Sequence, residues 1–205
     1  MGNINLKIPL SEEDVRNLRC GDIVYLNGVV WTCRSRFHIR VAEERVLPPI
    51  DTRIYNVMLH SGPNMGMVDG AWKLRALSIT TSIRFEKWEP EAIERLGLRA
   101  ILGKGRVGKA TREAMKKFGC VHLIRTGVFS GAYATMVERV KEAHWLDLGG
   151  PEALFVLEVK DFGPLIVEAD IYGASLYDEI GKKIDTRIPG LYRELSIEDV
   201  YYHEK

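Results

Sequence analysis

The chain has 205 residues, 46% of them hydrophobic, with 29 Lys and Arg against 28 Asp and Glu and a formal net charge of +1. That balance removes the electrostatic ground for a nucleic-acid partner or a membrane surface. The length suffices for one large domain or two small ones with a substantial core. Cys20, Cys33 and Cys120 stand far apart, with neither a Cys-x-x-Cys pair nor Cys/His ligand spacing. No metal site on this chain is therefore predicted, and the thiols are expected to be reduced. The N-terminus lacks the apolar stretch of a secretory signal, and no run approaches the roughly 18–20 apolar residues of a membrane span. A soluble cytoplasmic protein is expected.

In chain order, Ser11-Glu-Glu-Asp-Val-Arg-Asn-Leu reads as a short helix with Ser11 as N-cap and Asp14 three residues on. Ile23-Val-Tyr-Leu and Val29-Val-Trp-Thr read as strands, and Asn27-Gly28 between them predicts a tight hairpin turn. Pro48-Pro49 marks a loop. Ile54 to His60 reads as a strand ended by Ser61-Gly-Pro-Asn, and Ala76 to Thr81 as another. From Glu89 the period lengthens: helix from Pro90 to Leu96, buried strand at Ala100-Ile-Leu, helix from Thr111 to Phe118, strand at Val121-His-Leu-Ile. A helix is predicted from Gly131 to Ala143, then strands Leu154 to Val159 and Pro164 to Asp170 joined through Asp161-Phe-Gly. A β-rich part over about residues 1–88 and alternating elements over about 89–205 predict a single α/β domain of layered sheets and helices.

The stretch from Thr80 to Thr111 carries the most chemistry. Thr80-Thr-Ser-Ile-Arg84 is a loop of hydroxyls with a guanidinium, and Gly103-Lys-Gly105 is a turn between an apolar strand and a helix. The turn sits at a helix N-terminus, where free N–H groups and the helix dipole favour an anion. Lys104, flanked by two glycines, suits close contact with a carboxylate. Threonines are common in strands, and Arg84 has Glu86 and Glu89 as surface partners; the pairing of this loop with Lys104 is what favours a binding site. A hydroxyl beside two cations has its pKa lowered, which suits acid/base work. Together these groups suit a small dicarboxylate.

Gly103-Lys-Gly-Arg-Val-Gly108 also satisfies G-x-G-x-x-G between a strand and a helix. A dinucleotide site needs an acidic residue about 20 positions later, and Val121-His-Leu-Ile-Arg-Thr-Gly offers none. Arg34 and His38, past the predicted hairpin, read from sequence alone as a surface basic cluster. His60, His122, His144 and His203 read as structural.

These residues resemble one family: the β subunit, or C-terminal half, of class I iron–sulfur fumarases and L-tartrate dehydratases. The resemblance runs from Cys20-Gly-Asp to about Asp178. It rests on Gly21-Asp-Ile-Val-Tyr-Leu-Asn-Gly, Arg34 with His38, His60-Ser-Gly-Pro, Thr80-Thr-Ser-Ile-Arg84, Gly103-Lys-Gly and Glu158-Val-Lys-Asp-Phe-Gly-Pro-Leu-Ile-Val. Ser78-Ile79 replaces the family's Gly-Pro before the threonines, Phe85 its Met, and Ser35 the Asp after Arg34. Gly127-Val-Phe-Ser-Gly131 stands at a Gly-Gly turn, where the bulk of Phe129 would narrow a cleft.

The resemblance implies a swivelling β/β/α domain that closes over a [4Fe–4S] cluster bound by a partner α subunit and not by this chain. It implies Thr80 as the acid/base, Arg34, Arg84 and Lys104 as the dicarboxylate clamp, and Thr81 and His38 as support. The expected activity is reversible hydration of fumarate to L-malate within a hetero-oligomer. L(+)-tartrate dehydration is the alternative, and a non-catalytic dicarboxylate-binding module is the rival from another class.

Overall fold

The computed structural model describes residues 3–125 and 130–195. Its centre is a run of parallel strands, β1 (Asn3–Lys7), β2 (Ile23–Cys33), β3 (Val57–Val68), β5 (Ala100–Gly103) and β6 (Val121–Arg125), in the spatial order β1-β2-β3-β5-β6. The long strand β8 (Leu154–Ala169) runs antiparallel to β6 and also to β2. Because β8 holds both ends of the run, β2, β3, β5, β6 and β8 close into a five-stranded mixed barrel. The mixed α/β expectation holds; in place of layered sheets one sheet closes on itself, and closure leaves no free edge within the ring. Outside the ring, β1 extends β2, β4 (Ala71–Ile79) pairs with the far half of β3, and β7 (Val137–His144) pairs with β8.

Alternation along the strands sorts the core into two sets. Val30, Val57, Leu59, Ala100, Leu102, Leu123, Leu157 and Leu165 pack together inside the barrel. Their neighbours Trp31, Met58, Ile101, Leu154 and Val156 face outward against α2 (Ser35–Ala42), α3 (Glu89–Leu96) and α4 (Lys109–Phe118), which contribute Phe37, Ala92, Ile93 and Met115. Three further helices, α1 (Glu12–Asn17), α5 (Ser130–Ala134) and α6 (Leu176–Glu194), complete the described residues. Among those residues no helix is long and apolar enough to cross a membrane.

Helices α3 and α4 and strands β5 and β6 lie within two residues of their predicted spans, and the Ser11–Asp14 capping box forms on α1. Other expectations are corrected. Asn27-Gly28 is not a turn: β2 runs straight through it. Only Gly28 has positive φ there, at +126°, where a type I′ turn needs two such residues. A Cβ on Gly28 would come within 3.0 Å of Ile8 O, so this glycine admits the incoming chain after β1. The hairpin turn lies instead at Asp69-Gly70, with φ of +49° and +75°, between β3 and β4. Strand β3 therefore continues through Ser61-Gly-Pro-Asn, where the turn residues predict its end.

The helix expected over Gly131–Ala143 is the short α5 followed by edge strand β7, whose ladder partner is β8. The two strands expected on either side of Asp161-Phe-Gly are the single β8, bent where Asp161 has φ +47°. The turn around Phe129 includes residues 126–129, which lie outside the described residues.

Candidate functional site

The carboxyl ends of β2 and β5 open beside the β3–β4 hairpin, the place where parallel sheets present ligands. There a pocket of about 200 Å³ is lined by Arg34, Gly62, Ser78, Ile79, Thr80, Thr81, Arg84 and Lys104. Five of the six residues predicted for the site thus share one cavity. Arg34 follows the last residue of β2 and caps α2; Thr80 and Thr81 follow β4; Arg84 lies in the 3-10 turn Ser82–Phe85; Lys104 follows β5.

Backbone contacts bind these segments together. Thr80 N donates to His60 O at 2.7 Å, Lys104 N to Thr80 O at 3.3 Å and Ser82 N to Lys104 O at 3.0 Å. The threonine loop is thereby stitched into the barrel rim between β3 and β5.

The lining contains three cations and no carboxylate. Arg34 pairs with Glu152 at 3.7 Å, an acid outside the lining, and among the described residues Arg84 and Lys104 make no ion pair. Three cations around one cavity, two of them without an ion pair, select a multiply charged anion. Gly62 makes room for one of them, since a Cβ there would come within 2.9 Å of Arg34 Cδ.

Neither acid expected to pair with Arg84 does so: Glu89 is buried, and Glu86 is engaged elsewhere. Glu86 caps α4, its carboxylate accepting from Gly108 N at 2.8 Å, Ala110 N at 2.8 Å, Thr111 N at 3.2 Å and Thr111 Oγ1 at 2.5 Å. The helix N-terminus expected to receive an external anion is thus already filled by the protein's own carboxylate. This also disposes of the dinucleotide pattern. Cβ atoms on Gly103 and Gly108 would overlap Ser82 Oγ and the Glu86 carboxylate, so those glycines make room for protein atoms and not for a pyrophosphate.

His38 does not line the pocket. It is fully buried behind it, with Cys33 Sγ 3.8 Å from its Nε2. Beside it runs a polar chain that the sequence reading missed. Ser175 Oγ donates to Glu168 Oε1 at 2.7 Å, while Glu168 Oε2 lies 2.8 Å from His122 Nδ1. His122 Nε2 lies 2.8 Å from Ser82 Oγ, and Ser82 Oγ 3.0 Å from His60 Nδ1. All five groups are buried.

With neutral imidazoles, the acceptor at the Glu168 end assigns the tautomers. Glu168 accepts from His122 Nδ1–H, so His122 Nε2 accepts from the Ser82 hydroxyl, and Ser82 accepts from His60 Nδ1–H. This chain holds Ser82, next to Thr81, in one orientation. Spacing alone could not reveal it, because its members come from β3, β6, β8 and the loops after β4 and β8.

The three cysteines do not gather. Cys20 Sγ donates to Glu168 O, Cys120 Sγ lies against its neighbour Val121 O, and Cys33 faces His38. Burial pushes the Cys20 thiol up to about 12, helped by the acids around it, and pushes Cys33 and Cys120 well above the usual thiol range. These residues do not fit an iron–sulfur cluster held by three thiolates of this chain.

The family described as Fumarase C-terminus matches residues 1–180. The chain belongs to that family. It is 37% identical over 197 residues to the L(+)-tartrate dehydratase subunit beta of Escherichia coli K12, covering 96% of this chain and 97% of that one. It is 38% identical over 181 residues to a putative L(+)-tartrate dehydratase subunit beta of Methanocaldococcus jannaschii, covering 85% and 91%. A putative class I fumarate hydratase of Geobacillus stearothermophilus is 36% identical over 180 residues, 87% of this chain but 34% of that longer protein. The resemblance read from the sequence is therefore shown: this is a β-type chain of the fumarase and tartrate dehydratase hydro-lyases.

Proposed function

We propose that this chain is the β subunit of an L(+)-tartrate dehydratase, acting in complex with an α subunit that carries the [4Fe–4S] cluster. The observation that carries the reading is the pocket in which Arg34, Arg84 and Lys104 surround Thr80 with no acid among the lining residues. Tartrate takes precedence over the fumarate expected from the sequence because the relatives that match this chain nearly end to end carry the tartrate name. Fumarate hydration is the second reading, supported by the class I fumarate hydratase relative. Both reactions move water across a four-carbon dicarboxylate, and one clamp serves either.

In this reading the three cations bind the two carboxylates and hold the C–H bond α to one of them against the Thr80 hydroxyl. Removing that proton builds negative charge on the adjacent carboxylate, which fixed guanidinium and ammonium groups stabilise without reorganising. The same cations lower the pKa of Thr80 and so favour its proton-accepting form. Thr81, held by the backbone bridge to Lys104, keeps the loop in register. Support from His38 is indirect, since it lies behind the pocket wall.

The test is an anaerobic assay of this chain with its α partner and a reconstituted cluster, offered L(+)-tartrate or fumarate, each component also assayed alone. Turnover is expected only in the mixture, faster with tartrate. Thr80→Ala is expected to lower kcat by about 10²-fold or more, the usual contribution of a positioned acid/base, with KM changed only slightly. A Thr80→Ala complex with unchanged kcat and a weakened KM would instead make the pocket a binding module.

A further inference from the structure

Behind the pocket, between the outer wall of the barrel and helices α2 and α3, four buried side chains converge: Cys33 at the end of β2, His38 on α2, His60 on β3 and Glu89 at the start of α3. The donor atoms of Cys33, His38 and His60 lie within 4.8 Å of one another. His38 Nε2 is 3.8 Å from Cys33 Sγ and 3.6 Å from Glu89 Oε2, and His60 Nε2 is 3.0 Å from Glu89 Oε2. Bonds of about 2.0–2.3 Å in a tetrahedral site put ligand atoms roughly 3.3–3.7 Å apart; the separations given run from 3.0 to 3.8 Å, with Glu89 reaching the group through the two histidines. We propose that these four residues bind one zinc ion, a structural site distinct from the dicarboxylate pocket and independent of the function proposed for it.

Two observations point to an ion. First, the polar chain from Glu168 fixes the proton of His60 on Nδ1, which leaves a lone pair on Nε2. That lone pair faces a Glu89 oxygen, off the hydrogen-bond direction, and neither His60 Nε2 nor either Glu89 oxygen has a hydrogen-bond partner. Two electron-rich atoms at 3.0 Å, fully buried, call for a proton or a metal ion between them, and the Cys33 and His38 donors beside them suit the metal ion. Second, the charges close. On binding, Cys33 gives up its proton, so that a thiolate and a carboxylate balance a dication and two neutral imidazoles complete four ligands, leaving the filled site electrically neutral in a dry interior.

The Ser82–His122–Glu168 chain acts as the outer-shell support that orients a ligating histidine. Mixed sulfur, nitrogen and oxygen donors in a four-coordinate set suit zinc better than calcium or magnesium.

The test is metal analysis of the full-length chain, purified without a histidine tag or chelator. We expect about one zinc per chain. Cobalt(II) incorporated during growth should give the ligand-field bands of a tetrahedral site with a thiolate charge-transfer band, and Cys33→Ser should abolish that band. Glu89→Gln, which keeps the side-chain volume, should lower zinc content at least about fivefold, since it removes one of four ligands. Should either variant fail to fold, zinc content and the cobalt spectrum of the unaltered chain still decide. A folded, metal-free chain whose melting temperature does not respond to added zinc would overturn the site and leave a shared proton between Glu89 and the histidines.

Discussion

At the scale of single residues, Ser82 has two tasks that meet at one atom. Its Oγ bridges the imidazoles of His60 and His122, and the same atom occupies the space that a side chain at position 103 would need. Gly103→Ala is therefore expected to destabilise the fold by about 2–4 kcal/mol, combining an overpacked contact with displaced buried hydrogen bonds. Ser82→Ala leaves both imidazoles without their partner at a cost of about 1–3 kcal/mol. In the double variant the obstructing hydroxyl is gone, so the two penalties should sum to less than their separate values. Urea denaturation of the three variants measures this coupling. Strict additivity would mean that the methyl added at position 103 finds another way out and that Ser82 does not confine that position.

At the scale of elements, α4 begins on Gly108, which has no side chain to cap it, and Glu86 supplies the cap from 22 residues away. One carboxylate satisfies three backbone N–H groups and a hydroxyl at the positive end of the helix dipole. Glu86→Ala should cost about 1–2 kcal/mol, Glu86→Gln less, read as a shift of the thermal midpoint. The vacated N-terminus should also become an anion site. Phosphate would then raise the melting temperature of Glu86→Ala more than that of the parent chain, and equal responses in both would mean that another group takes over the cap.

The same helix indicates what a sequence can disclose. Thr80, Thr81, Arg84 and Lys104 were legible because hydroxyls, cations and glycines cluster locally there, and Arg34 followed from the family resemblance. Glu86, by contrast, looked like a surface partner for Arg84. Its real partners are backbone groups, which carry no sequence signal. Asn27-Gly28 read as a hairpin because turn chemistry is local, whereas the close approach of Ile8 that requires Gly28 is tertiary. Asp69-Gly70 carried the same turn signal and used it. Strand β7 read as a helix because it is an edge strand whose partner lies downstream. The polar cluster of Cys33, His38, His60 and Glu89 was invisible for a related reason: its members become neighbours only when β2 and β3 pair and two helices cover them.

At the scale of the molecule, closure through β8 ties the β-rich first part of the chain to the alternating second part. Phe155, Leu157, Phe162, Leu165 and Val167 point from β8 into the barrel, while Leu154, Val156 and Ala169 pack with the helix-covered set. Removing β8 from β2 opens both cores at once. A boundary near residue 88, where the composition changes, is therefore not expected to be a boundary in stability, and the chain should unfold in a single transition. Trp31 reports the helix-covered core, and Trp72, edge-on to Phe155 at 5.3 Å, reports the barrel side. Urea curves from variants retaining only one of these tryptophans should superimpose on each other and on the far-ultraviolet circular dichroism. Separation of the Trp31 curve to lower urea would mean that α2–α4 peel from a barrel that stands by itself. The pocket would then be built across two units of unequal stability, because Arg34 leads into α2 whereas Thr80 follows β4.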